Sequence, residues 1–97
     1  MTAADESRPN VVVVLPRSLG VLFPGAPRRC EATGRTVGEL IDDLDRRLPG
    51  LRDRLCEGAS LRRHLRVFVA SEQAALATAV QEGQVVHVIP AISGGAA

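Results

Sequence analysis

The sequence predicts an α+β domain in which one main helix packs across one face of a mixed sheet of roughly four to five strands. Three observations favour this class: an apolar run at residues 10–15, apolar residues at helical spacing over residues 37–48, and two later strand patterns. Early strands, a single long helix and later strands predict one sheet that is covered on one side. The 97 residues suffice for one modest core.

The first segment predicts two strands and the connection between them. Residues 10–15 contain four consecutive valines and predict a buried strand that stops at Pro16. Residues 17–29 are rich in glycine and proline, so we expect a connection without a regular element. Residues 30–33 predict a second, antiparallel strand.

The main helix carries the clearest local signal. Thr36 and Glu39 form a capping box, in which a hydroxyl and a carboxylate accept hydrogen bonds from free amides at a helix start. Pro49 and Gly50 end the helix. One face is apolar, and we expect it to pack against Val12, Val14 and Val67; its residues are Val37, Leu40, Ile41, Leu44 and Leu48. The outer face predicts ion pairs Asp42–Arg46 and Asp43–Arg47.

The second half of the chain predicts two further strands. Residues 51–57 indicate a short helical turn, and residues 65–70 alternate as a half-buried strand does. Residues 71–80 are ambiguous, because their alanines favour a helix while the space between two strands is short. Glu82 and Gly83 indicate a turn, and residues 85–89 predict the last strand, which Pro90 closes.

These elements divide the chain into a disordered lead at residues 1–9, a domain at 10–90 and a flexible tail at 91–97. The tail contains the glycine pair Gly94–Gly95, which has no Cβ atoms and can pass through a narrow channel. A terminal glycine carboxylate is also sterically open to adenylation. A disordered tail or a remnant of cloning is the alternative interpretation.

Composition excludes several function classes. The net charge of +1 and an aromatic content of 2% give no basis for nucleic-acid binding. No stretch approaches the roughly 18 to 20 apolar residues of a membrane span, and residues 1–9 lack a signal-peptide pattern. Cys30 and Cys56 form no C-x-x-C motif, which favours structural thiols in a reduced, cytoplasmic protein over a metal site, a disulfide or a catalytic cysteine.

No side chain is predicted to be catalytic. His64 and His87 lie far apart and lack neighbouring ligands, so no metal site is expected. The aspartates of the helix indicate a solvated face rather than a catalytic pair; they are Asp42, Asp43 and Asp45. The serines have no base placed beside them, and no phosphate-binding glycine motif occurs; these serines are Ser60, Ser71 and Ser93.

Phe68 is a candidate for partner docking. It alternates with Val67 and Val69 and therefore faces away from them. In a sheet covered on one side, one of these rows faces solvent, and an exposed Phe among arginines is typical of a docking patch. The alternative places Phe68 in the core and the valines outside.

Three segments together resemble one family. The segments are similar to those of the ThiS/MoaD family of ubiquitin-like sulfur carriers. They are the helix signature Thr36-Val37-Gly38-Glu39-Leu40-Ile41 with Leu48-Pro49-Gly50-Leu51, the strand Val67-Phe68-Val69, and the ending from Glu82-Gly83 through Pro90 to Gly94-Gly95. The resemblance covers residues 10–95 and implies a β-grasp fold. The chain departs from the family pattern at three places, which are Gln84, the long connection after the first strand, and Ala96-Ala97.

The resemblance also implies a function. A partner E1-like enzyme would use ATP to adenylate Gly95, and sulfur would then convert the adenylate to a thiocarboxylate. Ser93 and Gly94 would supply reach, and a peptidase would first cleave after Gly95 to remove Ala96-Ala97. The chain itself would be a sulfur donor to a biosynthetic enzyme, not an enzyme, with no bound cofactor. The alternatives are a small subunit like that of molybdopterin synthase and a β-grasp interaction module that is never activated.

Overall fold

A five-stranded mixed sheet organises the computed structural model, which describes residues 8–91. Its strands are β1 (Asn10–Val14), β2 (Arg29–Thr33), β5 (Leu65–Val69), β6 (Glu72–Ala74) and β7 (Val85–Pro90), and their order in the sheet is β2-β1-β7-β5-β6. Strands β1 and β7 pair in parallel, and the other neighbours are antiparallel. The predicted α+β class with a mixed sheet is therefore confirmed. A separate ladder joins β3 (Cys56–Glu57) and β4 (Ser60–Leu61).

The main helix is α2 (Val37–Arg47), and it begins as the sequence predicts. The hydroxyl of Thr36 accepts a hydrogen bond from the N–H of Glu39 at 3.2 Å. The Glu39 carboxylate accepts from the N–H of Arg35 at 2.8 Å, one residue before the cap. The core-facing residues Val37, Leu40, Ile41 and Leu44 are buried, whereas Leu48 is half-buried beyond the helix end. The short helix α3 (Leu51–Leu55) follows, as predicted.

Strand β1 faces the helix with the residues opposite to those predicted. The core cluster contains Val11 and Val13, which are 2% and 1% exposed, and the expected contact of α2 with Val12 and Val14 is wrong. Val14 is itself buried, at 9% exposure, but it lies outside that cluster. Four consecutive valines carry no alternation, so their sequence cannot say which of them point inward. Pairing with β2 decides it, because Val13 lies opposite the buried Cys30.

The connection between β1 and β2 contains a helix that the sequence analysis did not predict, α1 (Leu19–Leu22). The N–H of Leu19 donates to the carbonyl of Pro16 at 3.1 Å, and the Leu19 side chain is buried in the core. Leu19, together with Phe23, which packs against the core, therefore anchors a segment whose glycine and proline content indicated only irregular structure.

Residues 71–80 form a strand and a loop, so the helix that their alanines favoured is absent from this segment. Ala70 and Ser71 adopt left-handed conformations with φ of 51° and 74°, and this turn returns the chain alongside β5 as β6. The loop that follows serves α2: the carbonyls of Thr78 and Leu76 accept the N–H groups of Val37 and Gly38 at 3.0 and 2.9 Å. Tertiary contacts thus override the helix propensity of alanine.

The surface ion pairs of α2 match the prediction in part. Asp43 pairs with Arg47 at 3.0 Å, as predicted. The predicted Asp42–Arg46 pair is wrong, because α3 brings Arg52 to 2.7 Å from Asp42 and Arg46 instead reaches Asp43 at 2.6 Å.

Candidate functional site

The tail leaves the domain from the end of β7, a central strand of the sheet. Beyond Pro90, the N–H of Ala91 donates a 2.7 Å hydrogen bond to the carbonyl of His64, the residue that precedes β5. The predicted site residues Ser93, Gly94 and Gly95 lie outside the described residues. The structure therefore defines where the tail begins.

The position of Ala91 limits where Gly95 can act. Four residues separate the two positions, and an extended chain advances at most about 3.3–3.6 Å per residue, which gives a reach of about 14 Å. Any enzyme that acts on the Gly95 carboxyl group must therefore approach this end of the sheet. Because β1 and β7 are parallel, this is also the end at which β1 leads into α1.

Phe68 lies on the open face of the sheet, as predicted. Val67 and Val69 are buried on the helix side, so the alternative that places these valines outside is wrong. Phe68 is half-buried rather than exposed, with His87 of β7 and Gln73 of β6 opposite it. His87 is exposed, as its alternation with buried valines predicts.

The two cysteines are buried structural residues. Burial raises the pKa of the Cys30 thiol, against the weaker opposing effect of Arg47, and the thiol donates to the carbonyl of Pro27 at 3.1 Å. Burial likewise raises the pKa of the Cys56 thiol. A raised pKa disfavours the thiolate, which is the nucleophilic form, so neither residue is poised for catalysis.

The helix aspartates hold the fold together. Asp45 accepts the N–H groups of Gly50 and Arg52 at 3.1 and 3.0 Å, which joins α2 to α3. Asp43 accepts the N–H of Thr33 at 3.0 Å, which joins α2 to β2. Residues 8–91 contain no cluster of histidine, cysteine and carboxylate side chains that could hold a metal ion.

The sequence analysis missed a group of residues around the tail exit. Val21 and Leu22 of α1 are 81% and 45% exposed, and Leu22 lines an open cleft with Arg54, Arg62 and His64. These residues come from three separate segments, and the sequence signal that could have found them is the apolar stretch at residues 19–23 inside a polar connection.

Comparisons with known proteins agree with this architecture. The ThiS family model matches residues 21–95. The sulfur carrier protein CysO of Mycobacterium tuberculosis is 34% identical over 95 residues, which cover 89% of this chain and 99% of that protein. None of the helices within residues 8–91 is long and apolar enough to cross a bilayer.

Solved structures give the same result. A chain of the Amycolatopsis orientalis BexX/CysO complex superposes with a TM-score of 0.76 at 33% identity, covering 84% of this chain and 94% of that one. Small archaeal modifier protein 1 of Haloferax volcanii superposes with a TM-score of 0.71 at 27% identity, covering 89% of this chain and 99% of that one. The predicted β-grasp fold and family resemblance are confirmed: the chain belongs to the ThiS family of ubiquitin-like proteins.

Proposed function

We propose that this protein is a sulfur carrier whose Gly95 carboxylate is activated by a partner enzyme and converted to a thiocarboxylate. The observation that carries the proposal is the 34% identity to the CysO sulfur carrier across 89% of the chain. The family match also ends at Gly95, the second glycine of the pair.

The chemistry needs no catalytic group from the carrier. The carboxylate attacks the α-phosphate of ATP and releases pyrophosphate, which leaves an acyl adenylate. Sulfide then attacks the acyl carbon and displaces AMP, and the product is the thiocarboxylate. A carboxylate is a poor acyl donor, whereas a mixed anhydride with AMP has a good leaving group. The partner binds the ATP, so the carrier is a co-substrate without a cofactor of its own.

Each residue of the tail has a role in this proposal. Gly95 carries the reacting carbon, and Ser93 and Gly94 give reach from the anchored Ala91. Without Cβ atoms, the glycine pair fits a channel that closes around the backbone. A chain that ends at Ala97 requires a peptidase that cleaves after Gly95 before activation.

Three partners follow: an E1-like adenylating enzyme, the trimming peptidase, and a biosynthetic enzyme that accepts the sulfur. Phe68, with the half-buried Val12 and Val85 on the same open face, supplies an apolar docking area for one of them. We place the protein in the cytoplasm, because activation consumes ATP.

The proposal is tested by intact mass spectrometry. A variant that ends at Gly95 is incubated with ATP, sulfide and the adenylating enzyme, and a gain of about 16 Da marks replacement of oxygen by sulfur. The full-length chain is expected not to react, and Gly95→Ala in the shortened chain is expected to react more slowly, since the added methyl group crowds the channel. No mass gain in any variant contradicts the sulfur-carrier proposal.

The same samples distinguish the two alternatives. A stable equimolar complex without a mass change would indicate a small subunit like that of molybdopterin synthase. Neither a complex nor a mass change would indicate an interaction module that is never activated.

A further inference from the structure

The exposed apolar side chains of the domain concentrate at the tail exit. Among residues 8–91, the large apolar side chains with high exposure are Val21, Leu22 and Ile89, which are 81%, 45% and 40% exposed. Ile89 directly precedes Pro90 on β7, and Leu22 lines the cleft that also contains His64, the partner of Ala91. Exposed apolar groups gathered at one place are typical of an interaction surface.

Arginines without acidic partners concentrate at the same end. The arginines of the described residues that form no ion pair with another described residue are Arg17, Arg28, Arg29, Arg35, Arg54, Arg63 and Arg66. All except Arg35 lie toward the end of the sheet at which β7 ends. Arg29 pairs across the sheet with Val14 at the end of β1, Arg66 lies opposite Ile89, and Arg54 lines the cleft beside His64.

The exposed apolar side chains and the arginines without ion pairs therefore lie at the same end of the domain as the start of the tail. The enzyme that acts on Gly95 has to come within about 14 Å of Ala91, so its surface must cover the residues around Ala91. Arginines that form no ion pair with another described residue are best complemented by carboxylates on the partner. The basic residues here have Asp53 and Glu57 as nearby acids, and Glu57 lies 4.0 Å from Arg62.

We propose that Val21, Leu22, Ile89, Arg54 and Arg63 form a tail-exit surface that docks the adenylating enzyme that acts on Gly95. The partner of this surface has an apolar depression for the α1 side chains, bordered by aspartate and glutamate residues at the mouth of its tail channel. This inference rests on the proposed function and adds a recognition surface that meets the open sheet face of Phe68 at Ile89 and extends from there to α1 and α3. The tail supplies the reacting group, and the tail-exit surface supplies affinity and orientation.

The test compares charge reversal at the two ends of the domain. In the chain that ends at Gly95, we expect Arg54→Glu with Arg63→Glu to raise the KM for the carrier by about tenfold or more, with kcat little changed. Both side chains are exposed, so the thermal midpoint should stay near that of the wild type. Val21→Asp should also raise KM, because it places a charged side chain in the apolar contact with the partner. Arg35→Glu is the matched control, because Arg35 is exposed at the opposite end and forms no ion pair with a described residue.

Ionic strength gives a second measurement on the same adenylating enzyme, which is purified by its ability to load the otherwise unaltered chain that ends at Gly95; this chain is the wild type of the comparison. Added salt should raise the KM of the wild type more steeply than that of the Arg54/Arg63 variant. If the charge reversal unfolds the protein, Arg54→Gln with Arg63→Gln replaces it, and a smaller rise in KM is expected. An equal KM for wild type and variant, or an equal rise in Arg35→Glu, overturns the tail-exit surface. Failure of the wild type to load contradicts the proposed function instead.

Discussion

The orientation of the β1 side chains provides the sharpest test of the fold, because the neighbouring residues Val12 and Val13 lie on opposite faces of the sheet. Val13 is 1% exposed and belongs to the core, whereas Val12 is half-buried on the open face opposite Glu31. Substitution of either valine by alanine lowers strand propensity to a similar degree. The difference between the two variants therefore measures burial beneath α2.

The expected difference follows from what each substitution removes. Val→Ala deletes two carbon groups, and the burial of each contributes about 0.8 kcal/mol. At Val13 the loss of about 1.6 kcal/mol is increased by the cavity that remains, at about 24 cal/mol per Å³, for a total of about 2–3 kcal/mol. At Val12 the open face lets solvent fill the space, so we expect a loss of about 1 kcal/mol or less.

Urea unfolding of both variants measures this difference. The slope with denaturant should be unchanged, so that the midpoints report stability alone. In a domain of this size, 1 kcal/mol corresponds to a shift of about 4–8 °C in the thermal midpoint, which a parallel melt resolves. An equal loss in the two variants, or a larger loss for Val12→Ala, would refute the assignment of the strand faces.

Three further predictions concern the main helix. Leu44 is 1% exposed, so Leu44→Ala should cost about 2–5 kcal/mol in urea unfolding, and a loss below about 1 kcal/mol would contradict its core position. Thr36→Ala removes the cap of α2 and should cost about 1 kcal/mol without changing the rate of tail activation; an unchanged thermal midpoint would show that the cap adds nothing. Burial tends to raise the pKa of Asp43, but the Thr33 N–H, Arg46 and Arg47 outweigh it and lower that pKa. The stabilisation is thus present above the unfolded pKa of about 3.9 and is lost as pH falls through the lower folded value. Asp43→Asn should remove part of the acid sensitivity of the thermal midpoint, and equal midpoint–pH curves would contradict this.

The sequence predicts α2 and the last strand well because each has several independent signals. Thr36 caps the helix, the apolar spacing defines its buried face, and Pro49 with Gly50 ends it. For β7, the turn at Gly83 has a φ of 85°, and Pro90 closes the strand. Local chemistry and tertiary structure agree in both segments, as is usual for elements that can be predicted from one sequence.

The errors have a common cause, which is that contacts distant in sequence decide the structure. The four valines of β1 are equally apolar, so the pairing partner Cys30 sets which of them face inward. Alanines near residue 75 have high helix propensity, but the left-handed turn at Ala70 places that segment beside β5. Helix α1 depends on the burial of Leu19 in a core that other elements build.

The same reasoning explains what could be predicted of the site. The glycine pair is visible in the sequence because its chemistry is local. The surroundings of the tail exit are not, since Leu22, Arg54 and His64 come from α1, α3 and the segment before β5 and line one cleft only in the folded domain. Sequence reasoning thus points to the proposed reacting group and misses the surface that we propose around the start of the tail.

Under the proposed function, in which the tail enters another protein, the central position of β7 has a consequence. Strand β7 is hydrogen-bonded to β1 on one side and to β5 on the other, and the Ala91–His64 hydrogen bond extends this hold by one residue. An edge strand would fray from its free side. Because Ala91 is held, Gly95 can lie at most about 14 Å from a fixed point on the domain. Docking of the domain therefore converts the encounter of Gly95 with its channel into an intramolecular step, with the high effective concentration of a short tether.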